Sequence, residues 1–181
     1  MRRCLRAAGG VAAAALTLGL AGCATRPPAD EAHPWISGRL SVRVAEYAGQ
    51  AARGLDADFD LRGDSGQGEL RLSSTLGTRL ASTHWRAGEA VLDLGQGPVR
   101  YPDLASLSRA ALGEVLPLQA LPDWLAGRPW PGAQARMQAD GFEQLGWQVL
   151  LGAFDQGRID ALREQPPRVS VRVRRVQPQQ P

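Results

Sequence analysis

The sequence predicts a mainly β protein: an antiparallel sheet with one wet face and a cover of short helices. Three observations predict it. Apolar and polar residues alternate with period two in short segments along most of the chain. Gly-rich turns join those segments at hairpin spacing. One stretch, residues 102–132, changes to the three-and-four spacing of amphipathic helices. Strands interrupted once by helices indicate a sheet with a helical layer on one face.

The first element is not part of that sheet. "MRRCLRAAGGVAAAALTLGLAGC" opens with Arg2, Arg3 and Arg6, continues with an apolar run and closes on small residues. This is the order of a secretory signal, with an apolar part too short to span a membrane comfortably. It ends in Leu20-Ala21-Gly22-Cys23, which resembles the bacterial lipobox. The resemblance implies cleavage before Cys23 and acylation of that cysteine. Residues 1–22 are thus expected to be a lipoprotein signal peptide. Their removal takes away three arginines and no acid, so the formal +3 of the whole chain falls to zero. The basic character belongs to the signal, and no nucleic-acid partner follows from it. The other cysteine, Cys4, leaves with the signal, so no disulfide is expected.

Residues 23–34 continue as "CATRPPADEAHP", polar and Pro-rich. Such a segment cannot bury apolar area and reads as a tether. Residues 35–181 are read as one domain, a length that supports a real core.

The strands follow. "GRLSVRV" puts Leu40, Val42 and Val44 on one face and Arg39, Ser41 and Arg43 on the other. "GLDADFDL" sets Leu55, Ala57, Phe59 and Leu61 against Asp56, Asp58 and Asp60. "GELRLSS" adds Leu70 and Leu72. "RLASTHW", "AVLDLG" and "VRY" alternate more weakly. Near the C-terminus "WQVLLGAF" reads as a largely apolar strand, and "RVSVRVRRV" alternates cleanly through Val169, Val171 and Val173. Between the two groups, "PDLASLSRAALG" carries Leu104, Leu107, Ala111 and Leu112 at helical spacing. Asp103 is the expected N-cap and Gly113 the stop. In "LPLQALPDWLAGRPWPG", Leu118, Leu121 and Leu125 share a helical face. Pro122 requires the helix to begin within about a turn before it or to kink there, and Gly127 and Pro129 end it.

Catalytic constellations are absent from the pattern. There is no H-E-x-x-H, no G-x-S-x-G elbow and no phosphate loop, so no catalytic residue, metal or cofactor is expected. Gly63-Asp64-Ser65-Gly66 reads as a hairpin turn, and Arg62-Gly63-Asp64 as a chance tripeptide. Asp56, Asp58 and Asp60 read as a solvated strand face, and His84 as a sheet residue. What remains is apolar surface under a helical cover. It either packs solid or encloses a cavity for an apolar ligand, and pattern alone favours the solid core. Pattern alone also tucks Leu76, at the tip of "LSSTLGT", beneath its hairpin.

A family resemblance changes both readings. The lipobox, "GRLSV", "FDL", "LRLSSTLGT", "LPLQALPDWLAGRPWPG" and "GWQVLLGAF" together resemble the LolB family, outer-membrane lipoproteins that receive other lipoproteins. The resemblance runs from about Trp35 to the last strand. It implies an incomplete antiparallel β-barrel with a short α-helical lid over an apolar cavity, LolA/LolB-like. It also implies a route. A periplasmic carrier, LolA, hands over acylated lipoprotein cargo, and this protein inserts it into the outer membrane without nucleotide or other cofactor. The protein would sit on the periplasmic face, a monomer anchored through Cys23, with Ala24 compatible with outer-membrane sorting. Cavity candidates are Leu40, Val42, Phe59, Leu61, Leu70, Leu72, Val149 and Leu151; lid candidates are Leu107, Leu121, Trp124 and Leu125. Leu76, followed by Gly77, would protrude into the inner leaflet of the outer membrane. The alternative is a structural envelope lipoprotein that scaffolds assembly and has no ligand cavity, with a lipid-modifying enzyme a more distant reading.

Overall fold

The computed structural model describes residues 33–176. The signal peptide, Cys23 and all but the last two residues of the tether lie outside the described residues.

Eleven strands form one antiparallel sheet. They are β1 (Ile36–Val44), β2 (Arg53–Gly63), β3 (Gly68–Ser73), β4 (Arg79–Arg86), β5 (Glu89–Asp93), β6 (Pro98–Tyr101), β7 (Ala135–Gln138), β8 (Gly141–Gln144), β9 (Trp147–Leu150), β10 (Arg158–Arg163) and β11 (Val169–Arg175). The spatial order is β6-β5-β4-β3-β2-β1-β11-β10-β9-β8-β7. Two runs of hairpins thus leave β1 in opposite directions. β11 closes onto β1 with Leu40 opposite Val173 and Val42 opposite Val171. The outermost strands, β6 and β7, do not pair, so the barrel is incomplete. The chain segment between them carries both helices, α1 (Leu104–Leu112) and α2 (Leu121–Leu125). The helical cover therefore occupies the one connection that is not a hairpin.

Alternation sets which face is inside. Leu40, Val42, Val44, Ala57, Phe59, Leu61, Val169 and Val173 are buried, while Arg39, Arg43, Arg172 and Arg174 are exposed. The aspartates of β2 lie on the outer face against β1. Asp56 meets Arg43 at 2.7 Å and Asp58 meets Arg39 at 3.0 Å, a ladder of exposed ion pairs. The Gly63–Gly66 segment is a hairpin turn, with Asp64 Oδ1 accepting from the backbone N–H groups of Gly66 and Gln67.

Helix α1 begins and ends where the sequence places it. The Asp103 side chain accepts from Ser106 N at 2.6 Å, and Gly113 takes a left-handed φ of 73°. α2 is shorter than its apolar spacing suggests. It starts at Leu121, one residue before Pro122, leaving Leu118 outside.

Three strands are not evident in the pattern. β7 is an exposed edge with no apolar face to bury, and β8 has only four residues. β10 shows two inward residues, Ile159 and Ala161. "WQVLLGAF" is also not one strand. β9 ends at Leu150, and Phe154–Gln156 forms a 3-10 turn.

Candidate functional site

Beneath α1 lies a cavity of about 270 Å³. That volume is near the lower end for small-ligand sites. Its walls come from eight strands: Leu40 and Val42 of β1, Leu55 and Phe59 of β2, Leu70 and Leu72 of β3, Ala81 and Thr83 of β4, Leu92 of β5, Trp147 of β9, Ile159 and Ala161 of β10, and Val171 and Val173 of β11. Leu107, Ser108, Ala111 and Leu112 of α1 roof it, joined by Leu116, Pro117 and Leu118 from the interhelical segment. Leu121, Trp124 and Leu125 of α2 close one side. The core is thus hollow, and the solid-core reading of the bare pattern is corrected.

The lining offers almost nothing polar. Its two hydroxyls belong to Thr83 and Ser108. Ser108 is fully engaged: its Oγ donates to Ala105 O and accepts from Leu116 N, each at 3.1 Å. That pair fastens the end of α1 to the following segment and turns no free polar atom towards the cavity. A cavity with so few polar partners stays dry and takes apolar ligands.

Nine of the twelve candidates line this cavity: Leu40, Val42, Phe59, Leu70, Leu72, Leu107, Leu121, Trp124 and Leu125. Leu61, Val149 and Leu151 do not, and their assignment as lining is corrected. Leu61 and Val149 are 1% and 0% exposed, locked in solid packing. Leu151 lies past the end of β9, where its backbone N–H donates to Asp140 O at 2.7 Å and turns the chain away. Alternation gave the parity of Leu61 and Val149 correctly; it carries no information on how far along a strand the hollow extends.

Beside the cavity the barrel is filled. Trp124 packs edge-on against Phe142 at 6.2 Å and tilted against Trp147 at 6.3 Å. Gln144 sits among them, 2% exposed. Its Oε1 accepts from Trp124 Nε1 at 2.8 Å and from Trp130 N at 2.9 Å. Its Nε2 donates to the carbonyls of Trp130 and Ala133 at 2.7 and 2.8 Å. One buried amide, with its full capacity used, ties α2 and the chain beyond it to β8. The pattern did not single out Gln144, because its strand was not evident.

The mouth of the cavity lies at the end of the sheet that carries the β3–β4 and β5–β6 turns. In the β3–β4 turn, Gly77 N donates to Ser74 O, Ser74 N donates to Thr78 O, and Gly77 takes φ +82°. Leu76 projects from the tip, 91% exposed. It is not tucked beneath its hairpin, as the bare pattern suggests, but stands out as the family resemblance implies. A register shift follows: Leu72 pairs with Ala81 but Ser73 with Arg79. The extra residue, Leu80, is turned by this bulge to the cavity despite its outward parity. Leu80 and Leu94 both line the cavity and are 38% and 59% exposed. An apolar rim therefore connects the hollow to the projecting tip.

On the opposite face of β3 an acid is buried. Glu69 accepts from Arg62 and Arg71, each at 2.6 Å. Burial pushes its carboxyl up, but those hydrogen bonds outweigh burial and hold it below the ordinary carboxylate range. His84 stands 3.9 Å away on β4, an exposed sheet residue.

Fold and site define a class: an open antiparallel barrel with a helical lid over an apolar cavity, with Leu76 projecting beyond its rim. Comparison with known proteins makes the class particular. The family model for "Outer membrane lipoprotein LolB" matches residues 33–177. An outer-membrane lipoprotein LolB of Bordetella petrii is 35% identical over 155 residues, covering 79% of this chain and 77% of the relative. Those of Chromobacterium violaceum and Ralstonia nicotianae are 35% and 36% identical over 144 and 148 residues, covering 74% and 72% of this chain and 77% and 69% of the relatives. This chain belongs to the LolB family of outer-membrane lipoproteins.

Proposed function

We propose that this protein is the outer-membrane receptor that accepts acylated lipoproteins from the periplasmic carrier LolA and releases them into the membrane, acting as a monomer and without catalysing a covalent step. Family membership supports the receptor role and disfavours the ligand-free scaffold. The observation that carries the reading is the dry cavity opening through Leu80 and Leu94 onto a rim with Leu76 at its edge.

The energetics are simple. Each acyl methylene moved into the cavity contributes about 0.8 kcal/mol. No polar group of the cargo has to be read, which suits a receptor for many lipoproteins. The cavity as it stands holds only part of one acyl chain, so loading must lift α1. That helix is held largely by leucine contacts, with the Glu114–Arg163 pair at 2.8 Å fastening the segment after it. Leu76 is not an anchor. Three acyl chains on Cys23 would supply on the order of 30 kcal/mol of methylene transfer, against about 2 for one leucine. Its part is local: it enters the inner leaflet and gives the leaving chains apolar continuity into lipid.

Two measurements test this. An apolar dye bound to the Cys23→Ala protein should be displaced by acylated peptide, and Phe59→Asp should abolish that binding. Leu76→Glu should accept cargo from the carrier but fail to deliver it to vesicles. Dye binding unaffected by acyl chains, or normal delivery by Leu76→Glu, would refute the reading.

A further inference from the structure

Trp35, next to the first strand, lies on the outside of the sheet. The guanidinium carbons of Arg62 and Arg71 each stand 4.5 Å from its ring centroid. Both arginines are held in turn by buried Glu69. Two residues earlier, His33 Nε2 is 3.5 Å from Asp64 in the β2–β3 turn. Cation–π contacts on a ring that is 38% exposed are modest singly. Here two converge on one ring, and a buried acid orients both donors. The chain therefore enters the domain at a defined point beside the β2–β3 turn.

That point is at the wrong end for a simple hanging anchor. Ile36 pairs with Leu61, and Leu61 with Leu70. β1 and β3 run in the same direction, from the β2–β3 turn towards the mouth. Leu76 lies six residues beyond Leu70, so the tip is about 20 Å from the entry point along the strands. Leu80 and Leu94 are at the tip's end.

We infer that the anchored protein meets its own membrane inverted, with the Leu76–Leu80–Leu94 rim against the bilayer and the Trp35 entry point turned away, so that the number of residues between Cys23 and His33 sets whether the rim can reach the membrane. The inference rests on the reading that Leu76 enters the membrane holding Cys23. The lengths agree with it. His33 stands three residues before Ile36, beside Asp64, so the tip is about 30 Å from it; the ten Cα steps from Cys23 to His33 reach at most about 35 Å, just enough. Four steps reach only about 14 Å. The composition of the segment is then free, and its length is not. The Trp35 clamp has a function too: it keeps the first strand from peeling off to lengthen a short tether.

The test uses the mature lipidated protein in vesicles, loaded with acylated cargo by the carrier. Deleting residues 25–30 keeps Ala24 beside Cys23 and leaves four steps to His33. Delivery into the vesicle that holds the protein should fall at least tenfold. Six Gly/Ser residues put back in their place should restore it. In Cys23→Ala proteins, free in solution, the same deletion should leave delivery to vesicles unchanged. Anchoring is checked by vesicle flotation, and a deletion chain that is not acylated is coupled through Cys23 to a maleimide lipid. Normal delivery by the anchored deletion protein overturns the inference, as does failure of the Gly/Ser replacement to restore it or equal loss in the soluble pair. If Leu76→Glu slows delivery while the deletion does not, the tip's role stands and the inverted geometry falls. If the intact protein does not deliver at all, the function itself falls.

Discussion

Strands β8 and β9 meet α2 over Trp124, Phe142, Trp147 and Val149, whereas β1 to β4 face α1 across a cavity lined mostly by leucines. Both regions are apolar, and both lie under a helix of the same connection. In the first, aromatic side chains reach across the gap between layers, and Gln144 holds the helix by one hydrogen bond and the chain after it by three. In the second, leucine and valine side chains stop short of one another, and the helix rests on contacts without direction. Aromatic rings bury large areas in a defined geometry; leucines coat a surface and leave the volume free. The contrast assigns directional contacts to one side of the barrel and non-directional ones to the other, which fits the proposed loading of acyl chains beneath α1.

The comparison breaks most directly at Gln144. Gln144→Leu is close in size but strands the Trp124 indole N–H, the Trp130 N–H and two carbonyls. At about 1–3 kcal/mol for each buried group left unpaired, the loss should reach 3 kcal/mol or more in urea unfolding. A loss under 1 kcal/mol would show that α2 is not fixed by this amide.

Matched truncations sharpen the contrast. Phe142→Ala opens a void in solid packing and should cost about 3–5 kcal/mol. Leu72→Ala removes a half-buried side chain that already faces a void, and should cost under about 2 kcal/mol, because the cavity term is absent. Equal losses would mean that the two regions are packed alike.

Ligand should distinguish them in the opposite sense. An acyl ligand at 100 times its Kd stabilises the native state by about 2.7 kcal/mol. That increment should survive Phe142→Ala and shrink in Leu72→Ala, as read from thermal shifts with and without ligand.

The smallest expected effect is one of direction. Gln144 is neutral, while Glu69, its counterpart on the outside of the leucine-lined side, is charged. The Glu69 carboxyl is depressed in the fold, against its burial, by Arg62 and Arg71. Its contribution is therefore present above the unfolded value of about 4.3 and is lost as pH falls through the lower folded value. Glu69→Gln should flatten the acid limb of the stability profile, and Gln144→Leu should leave its shape unchanged.

The strands with clean alternation, β1, β2 and β11, were legible because each has one wet and one dry face, and the two periods of strand and helix separate unambiguously. α1 was legible through Asp103 and Gly113, whose local hydrogen bonds need no tertiary partner. β7 and β8 were not, since an exposed edge and a four-residue strand leave no periodic trace. Nine cavity residues followed from parity and from the resemblance together. Leu61 and Val149 share the inward parity and are nonetheless solid core. Leu80 has outward parity and lines the cavity because the register shift between Leu72 and Ser73 turns it.

The sequence by itself thus determined which residues face inward, where α1 starts and stops, and, through its likeness to one family, what the protein does. Parity and capping are decided within a few residues, so they can be read along the chain. Whether inward residues meet or leave a hollow depends on how far apart distant strands are held and on which aromatic side chain stands opposite. Only the tertiary structure sets those distances. It alone decided that the leucines enclose a cavity, that Phe142 and Val149 beside it stand in solid packing, and that Trp35 and Leu76 lie at opposite ends of the same sheet.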